Sequence, residues 1–137
     1  VVLAARRTEL IQAEADKIIA GGGEAMAVTM DVTSSASIAA ALDEIESAFG
    51  VVTIVVNNAG ITIPKLLLDL SDDDWTNVID TNLTGVAYVA RESARRMIAA
   101  GVGGSIVNIA SILAERCPLY TPPSPRDQRG SRMPSSA

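Results

Sequence analysis

The sequence contains no histidine, and that absence removes both a His-based nucleophile triad and a His metal cluster. Its one cysteine, Cys117, cannot close an internal disulfide. Zinc and serine-protease chemistry are therefore excluded, and no metal site is expected. No apolar run approaches the roughly 18 residues of a membrane-spanning helix. The N-terminus also lacks a basic region followed by an apolar stretch and a cleavage site. A cytoplasmic protein without a membrane partner is the default expectation. Basic residues are in deficit, 11 Lys and Arg against 16 Asp and Glu, for a net charge of −5. Such a chain has no overall positive field for a phosphate backbone, so no nucleic-acid partner is expected and any anion site must be local. What remains is 137 residues, 48% hydrophobic: the size of one domain, with enough apolar side chains to bury a core.

Charge and proline are unevenly spread. Residues 1–115 carry a net charge of −8, whereas residues 116–137 carry Arg116, Arg126, Arg129 and Arg132 against Asp127 alone. Five of the six prolines also lie in that last stretch, which has no apolar periodicity. Residues 116–137 are expected to be a disordered or out-of-frame tail. At the other end the chain opens directly on Val1-Val2-Leu3-Ala4-Ala5, which reads as a buried parallel strand already under way.

Between these ends, short β-type runs alternate with helical segments. Leu10, Ile11, Ala13, Ala15, Ile18 and Ile19 recur at helical spacing, and Gly21-Gly22-Gly23 stops that helix by accepting left-handed dihedrals. Ala25–Met30 is a second β-type run, followed by a helix from Ser35 to Ala48 that Gly50 ends. Val51–Val56 is almost uniformly apolar, which predicts a strand buried on both faces. Ser71 with Asp74 has capping-box spacing and opens a long helical stretch through Trp75, Leu83 and Val89 to Ile98. Ser105–Ile109 is the fourth strand. Strands alternating with helices at these loop lengths predict an α/β fold with a doubly wound, Rossmann-like parallel sheet.

Ligands of such sheets bind beyond the carboxyl ends of the strands. The residues there are Arg6-Arg7, Asp31-Val32, Asn57-Asn58-Ala59-Gly60 and Ser111. Each has a plain structural reading: solvated arginines, a strand-end Asp, an Asn-Gly turn, an ordinary serine. Cations at a helix start, however, oppose the helix dipole by roughly 0.3–1 kcal/mol, so a compensating anion at Arg6 and Arg7 is expected. In dinucleotide folds arginine there meets the 2′-phosphate of NADP, and no acid stands nearby before Glu9. The guanidinium fork suits such a phosphate, with Arg6 the first choice. The glycine clusters at 21–23 and 101–104 follow helices, so neither is the phosphate-binding turn that follows a strand.

The Asn-Asn-Ala-Gly motif, Asp31-Val32, Trp75 followed by Asp80-Thr81-Asn82-Leu83-Thr84-Gly85, and the run Gly104–Ser111 agree in order and spacing with one family. Over roughly residues 1–113 the sequence resembles the short-chain dehydrogenases/reductases, which interconvert carbonyl and alcohol groups with NAD(P)(H). The resemblance implies that Asp31 and the Val32 backbone meet the adenine edge, and that Asn57, Asn58, Ala59 and Gly60 contact the adenosine ribose. It places Ile109 at the cofactor too. Ser111 would hydrogen-bond the substrate carbonyl, and Asn82 would disturb its helix so that its backbone holds a water of the proton relay. The expected cofactor is NADP rather than NAD. The expected substrate is a ketone or secondary alcohol, with 3-oxoacyl thioesters among the possibilities, and the intact parent is expected to form a homodimer or homotetramer through the 82–99 helix. The alternative is a non-catalytic dinucleotide-binding or regulatory protein.

The family's glycine-rich pyrophosphate loop would precede Val1. Its proton-transfer pair is a Tyr about a dozen residues after the Ser, with a Lys four further on. No lysine follows Lys65, Tyr120 stands only nine residues past Ser111, and position 124 is Ser. Residues 1–115 are thus expected to be a partial NAD(P)-binding domain, truncated at its first strand and C-terminal part, and inactive alone. In strand order 3-2-1-4-5-6 the strands present are the second to fifth, which predicts two strand pairs with unpaired inner edges and a marginal fold.

Overall fold

The computed structural model describes residues 1–111. Residues 116–137, with Cys117, Tyr120 and Ser124, lie outside them. The chain runs β1 (Val2–Ala5), α1 (Thr8–Ala20), β2 (Met26–Thr29), α2 (Ser35–Phe49), β3 (Ile54–Asn57), α3 (Asp72–Ile79), α4 (Gly85–Ala99) and β4 (Ser105–Asn108). A 3-10 turn at Leu67–Asp69 precedes α3, and a π-helical segment, Asp80–Thr84, joins α3 to α4.

The strands form two parallel pairs. Val2 lies opposite Met26 and Ala5 opposite Thr29 in one; Ile54 lies opposite Ser105 and Asn57 opposite Asn108 in the other. Among the described residues β1 and β3 therefore each pair on one edge only, as the strand-order argument requires. Helix α1 packs on β1 and β2, where Ala15 is fully buried, while α2 packs on β2 and on α4.

Both pairs feed one apolar cluster. Val28 of β2 and Val55 of β3 meet Ile38, Ala41, Leu42 and Ile45 of α2 and Val89 and Met97 of α4. The α2 and α4 members recur at helical spacing, and each large apolar side chain buried contributes about 1.5–3 kcal/mol. Arg96 clamps the same two helices at their edge. It donates to Asp43 (2.7 Å), Glu46 (3.0 Å) and the Ala39 carbonyl (3.3 Å) on α2, and to Glu92 (3.2 Å) one turn back on α4. Burial works against its charge, but the surrounding carboxylates prevail and raise its pKa.

Several boundaries move relative to the sequence pattern. The run Val51–Val56 is not a strand buried on both faces: β3 starts at Ile54, and only Val55 and Asn57 are buried, with Ile54 70% and Val56 57% exposed. The cause is that β3 has one strand neighbour and helical cover on one face among the described residues, so the alternate side chains meet solvent. All four residues of β4 are exposed among the described residues, and β4 ends at Asn108, one residue short. β2 spans Met26–Thr29 rather than 25–30, and α2 reaches Phe49. The long helix is divided by the π segment, so α4 begins at Gly85 rather than 82. The capping box is present as read: the Ser71 hydroxyl accepts from the Asp74 amide, and the Asp74 carboxylate from the Ser71 amide. Of the first glycine cluster, Gly22 alone uses a left-handed φ, +85°. Gly104 is needed for space, since a Cβ there would collide with the Thr53 carbonyl and lie 2.6 Å from the Met97 sulfur.

Three measurements test this packing. Gly104→Ala, whose methyl meets backbone that cannot rotate away, should destabilise the chain by about 1–3 kcal/mol in urea unfolding. Arg96→Met should cost about 2 kcal/mol, because it strands the Glu46 carboxylate between helices, whereas Asp43→Asn at the exposed end of the clamp should cost under about 1 kcal/mol. Asp74 also receives Lys65 at 2.5 Å, and together with Ser71 this lowers its pKa from 3.8 to about 2. A depressed carboxylate stabilises above its unfolded pKa and loses that contribution as pH falls through the folded one. The stability difference between the wild type and Asp74→Asn should therefore be full at pH 5 and fade between pH 4 and about 2.

Candidate cofactor and active site

Each strand ends on one of the residues singled out from the sequence. β1 runs into Arg6 and Arg7, both exposed. Arg7 occupies the N-cap position of α1 without a side-chain cap bond, and Glu9 is the acid of the first turn. Thr8 at the start of α1 and Thr29 at the end of β2 share a hydroxyl hydrogen bond of 2.5 Å, which ties the two strand exits together.

Asp31 follows β2. Its Oδ1 accepts from the Thr33 amide (2.9 Å) and the Thr33 hydroxyl (2.8 Å), and its own amide donates to Ser37 Oγ (2.9 Å). The two Thr33 bonds hold the Asp31 carboxyl below the usual carboxylate range against a small burial penalty, and the positive charge of Arg6 adds to the effect. The charge of Arg6, twenty-five positions away in sequence, thus reaches Asp31.

Asn57 ends β3 and is buried, while Asn58, Ala59 and Gly60 are exposed. The Asn57 side-chain amide donates to Asn108 Oδ1 (2.9 Å), and its carbonyl accepts from the Ile109 amide (2.9 Å). Ile109 and Ser111, both exposed, continue from β4 beside this turn.

Asn82 lies within the π segment, where α-helical bonding is interrupted. The sequence reading attached its importance to its backbone; the structure gives its side chain a distinct task. Oδ1 accepts from the Ile61 amide (2.8 Å) and Nδ2 donates to the Ile61 carbonyl (2.9 Å). Three residues on, Gly85 is buried against the other strand pair, where a Cβ would lie 2.8 Å from Val32 Cγ2 and 3.1 Å from the Val32 carbonyl. The segment 82–85 therefore touches the exit of β2 through Gly85 and the exit of β3 through Asn82.

The structure thus brings Val32 to Gly85, Gly60 and Ile61 to Asn82, and Asn57 to Asn108 and Ile109, while Arg6 and Asp31 follow the paired strands β1 and β2. Thr33, Ile61, Gly85 and Asn108 enter the site without having been singled out. Gly85, a glycine inside a helical pattern, carried a signal of close approach, but its partner Val32 could not be read from the pattern. Chemically, the edge offers two cations, an ionised carboxylate, free-standing small residues and a serine hydroxyl, all displayed at the strand ends where a long polar ligand can lie across them.

The profile of the family described as short chain dehydrogenase matches residues 1–121. The 3-oxoacyl-acyl-carrier-protein reductase FabG of Chlamydia pneumoniae is 38% identical over 104 residues, covering 76% of this chain and 42% of that protein. A crystal structure of a short-chain type dehydrogenase/reductase from Mycobacterium marinum superposes with a TM-score of 0.81 at 36% identity, over 84% of this chain and 47% of that one. A gluconate 5-dehydrogenase from Burkholderia cenocepacia J2315, solved with NADP and tartrate, gives 0.75 at 38% identity, over 83% and 44%. The chain spans less than half the length of these relatives. With the family profile covering most of the sequence, and the parallel strand pairs matching the same architecture, the chain belongs to the short-chain dehydrogenase family.

Proposed function

We propose that the protein is an NADP(H)-dependent oxidoreductase interconverting a ketone and a secondary alcohol, with 3-oxoacyl thioesters as one substrate class, and that residues 1–115 contribute its nucleotide-binding domain. The observation that carries this reading is the junction at 82–85, which ties the Asp31-Val32 exit and the Asn57–Gly60 exit to one segment. That arrangement fits the adenosine half of a dinucleotide. Arg6 and Arg7 would take the 2′-phosphate, Asp31 and the Val32 backbone the adenine edge, Asn57, Asn58, Ala59 and Gly60 the ribose, and Ile109 would flank the cofactor. The nicotinamide, when bound, supplies or accepts the hydride. Ser111 would donate its hydroxyl hydrogen bond to the carbonyl oxygen and favour the negative charge that gathers there. Asn82 fixes the loop after β3 through Ile61 and leaves the broken helix backbone at its own position for a proton-relay water. The FabG relative and the NADP-bound neighbour support the substrate class and the cofactor. Assembly through the 82–99 helix belongs to the same reading, and exposed Leu83 and Ile98 lie on it.

The adenosine half can be tested separately from catalysis. Adenosine 2′,5′-bisphosphate should bind the full chain about tenfold or more tightly than 5′-AMP by calorimetry, because a charge-assisted phosphate contact is worth about 1.5–3 kcal/mol. Arg6→Ala and Arg7→Ala should remove most of that difference. Equal affinity for the two nucleotides would overturn the NADP assignment, and binding of neither would overturn the nucleotide reading.

A further inference from the structure

Asn108 is an exposed residue at the end of an exposed strand, yet its side chain reaches across to a buried one. Asn57 and Asn108 are the last opposed pair of β3 and β4, so their side chains leave the same face of the pair. A buried amide group needs an acceptor, and Asn108 Oδ1 supplies it to Asn57 Nδ2 at 2.9 Å. One residue further on, the Ile109 amide donates to the Asn57 carbonyl at 2.9 Å. Asn57 is thus gripped from β4 by a side chain and by the backbone beyond it, at the point where both chains leave the sheet. One exit is the turn Asn58–Gly60 and the other is Ile109–Ser111.

The grip acts on register, because it sits at the last opposed pair of β3 and β4. Slippage or fraying by one residue would move the exit by about 3.3 Å, more than a hydrogen bond to a substrate oxygen tolerates. We propose that Asn108 is a positioning residue, whose bond to Asn57 sets the placement of Ser111 relative to the Asn58–Gly60 turn. The roles of those two segments rest on the function proposed above; the mechanical link between them does not. A carboxylate at position 108 keeps an acceptor of the same reach, serine is too short, and leucine has similar bulk with no acceptor.

Amide hydrogen exchange on the full chain reads the link without any ligand. In Asn108→Leu the Ile109 amide should exchange about threefold to tenfold faster, the worth of one net hydrogen bond. The Ser105 amide, bonded to the Thr53 carbonyl at the opposite end of β4, should keep its rate, and Asn108→Asp should restore that of Ile109. An unchanged Ile109 rate, equal acceleration at Ser105 and Ile109, or Asn108→Asp behaving like Asn108→Leu would each overturn the proposal. If Asn108→Leu does not fold, Asn108→Ser is read in the same way; failure of both to fold would assign the side chain to general stability and overturn it too. In a second arm, adenosine 2′,5′-bisphosphate should shift the Ala59 and Ser111 amide resonances together in the wild type and Ala59 alone in Asn108→Leu; a persistent Ser111 shift in that variant would overturn the coupling. Absence of any nucleotide response would overturn the nucleotide reading, while the exchange arm still decides the role of Asn108.

Discussion

The close passage of the helix start at Gly85 over Val32 is the constraint on which the site depends. Among the described residues the two parallel strand pairs share no strand, so no backbone ladder there fixes their relative position. The shared core under Val28 and Val55 holds them at one depth, but apolar packing is non-directional and does not set the register of their ends. Position is set where geometry is strict: a glycine pressed on a valine that leaves no room for a methyl group, and an amide side chain bonded twice to one backbone unit. The π segment makes both possible, because it inserts extra backbone between α3 and α4 and turns Asn82 toward Ile61 while Gly85 still faces Val32.

That economy also explains why the sequence was readable in some places and opaque in others. Element type followed from periodicity. The helix expected from Ser35 to Ala48 formed as α2 with Ile38, Ala41, Leu42 and Ile45 in the core, and Ser71 with Asp74 closed the capping box that their spacing announced. Strand-end residues were legible because a parallel sheet displays ligands at one edge, whatever the strands contain. Burial was not. An apolar run such as Val51–Val56 reports what a strand is suited to, whereas exposure depends on which neighbours are in place, and Ile54 and Val56 face outward here. Partnerships were equally hidden: Asn57 finds Asn108 fifty-one residues away, and Asn82 finds Ile61 at twenty-one. No local pattern encodes such a pairing, because each partner satisfies its own local rules as a polar residue at the end of an element.

The helix pair α2 and α4 shows the same division between bulk and precision. Ile38, Leu42, Val89 and Met97 supply apolar contact between the helices, which is non-directional and does not by itself fix their register. Arg96 removes that freedom by meeting carboxylates from both helices and the Ala39 carbonyl with a planar, five-donor group. Since Gly85 lies three turns N-terminal on the same helix, a slide of α4 along α2 would be felt at Val32. Charge at one end of the helix therefore helps to hold position at the other.

The charge pattern at the strand ends follows from a different constraint. A net charge of −8 over the first 115 residues repels an anion at long range, so the proposed nucleotide recognition would have to come from a short-range cationic site that works within about one Debye length. Arg6 and Arg7, the residues proposed for such a site, are not equivalent. The charge of Arg6 reaches Asp31, whose ionised form Thr33 stabilises, so a phosphate bound at Arg6 would also meet that carboxylate's field. Arg7 sits at the N-cap of α1, where the dipole disfavours a cation and a phosphate relieves that penalty. On the proposed function, Arg7 therefore has more to gain from a phosphate than Arg6 does, and a ligand carrying its phosphate on the ribose, close to α1, would be favoured over one that offers only a neutral hydroxyl there.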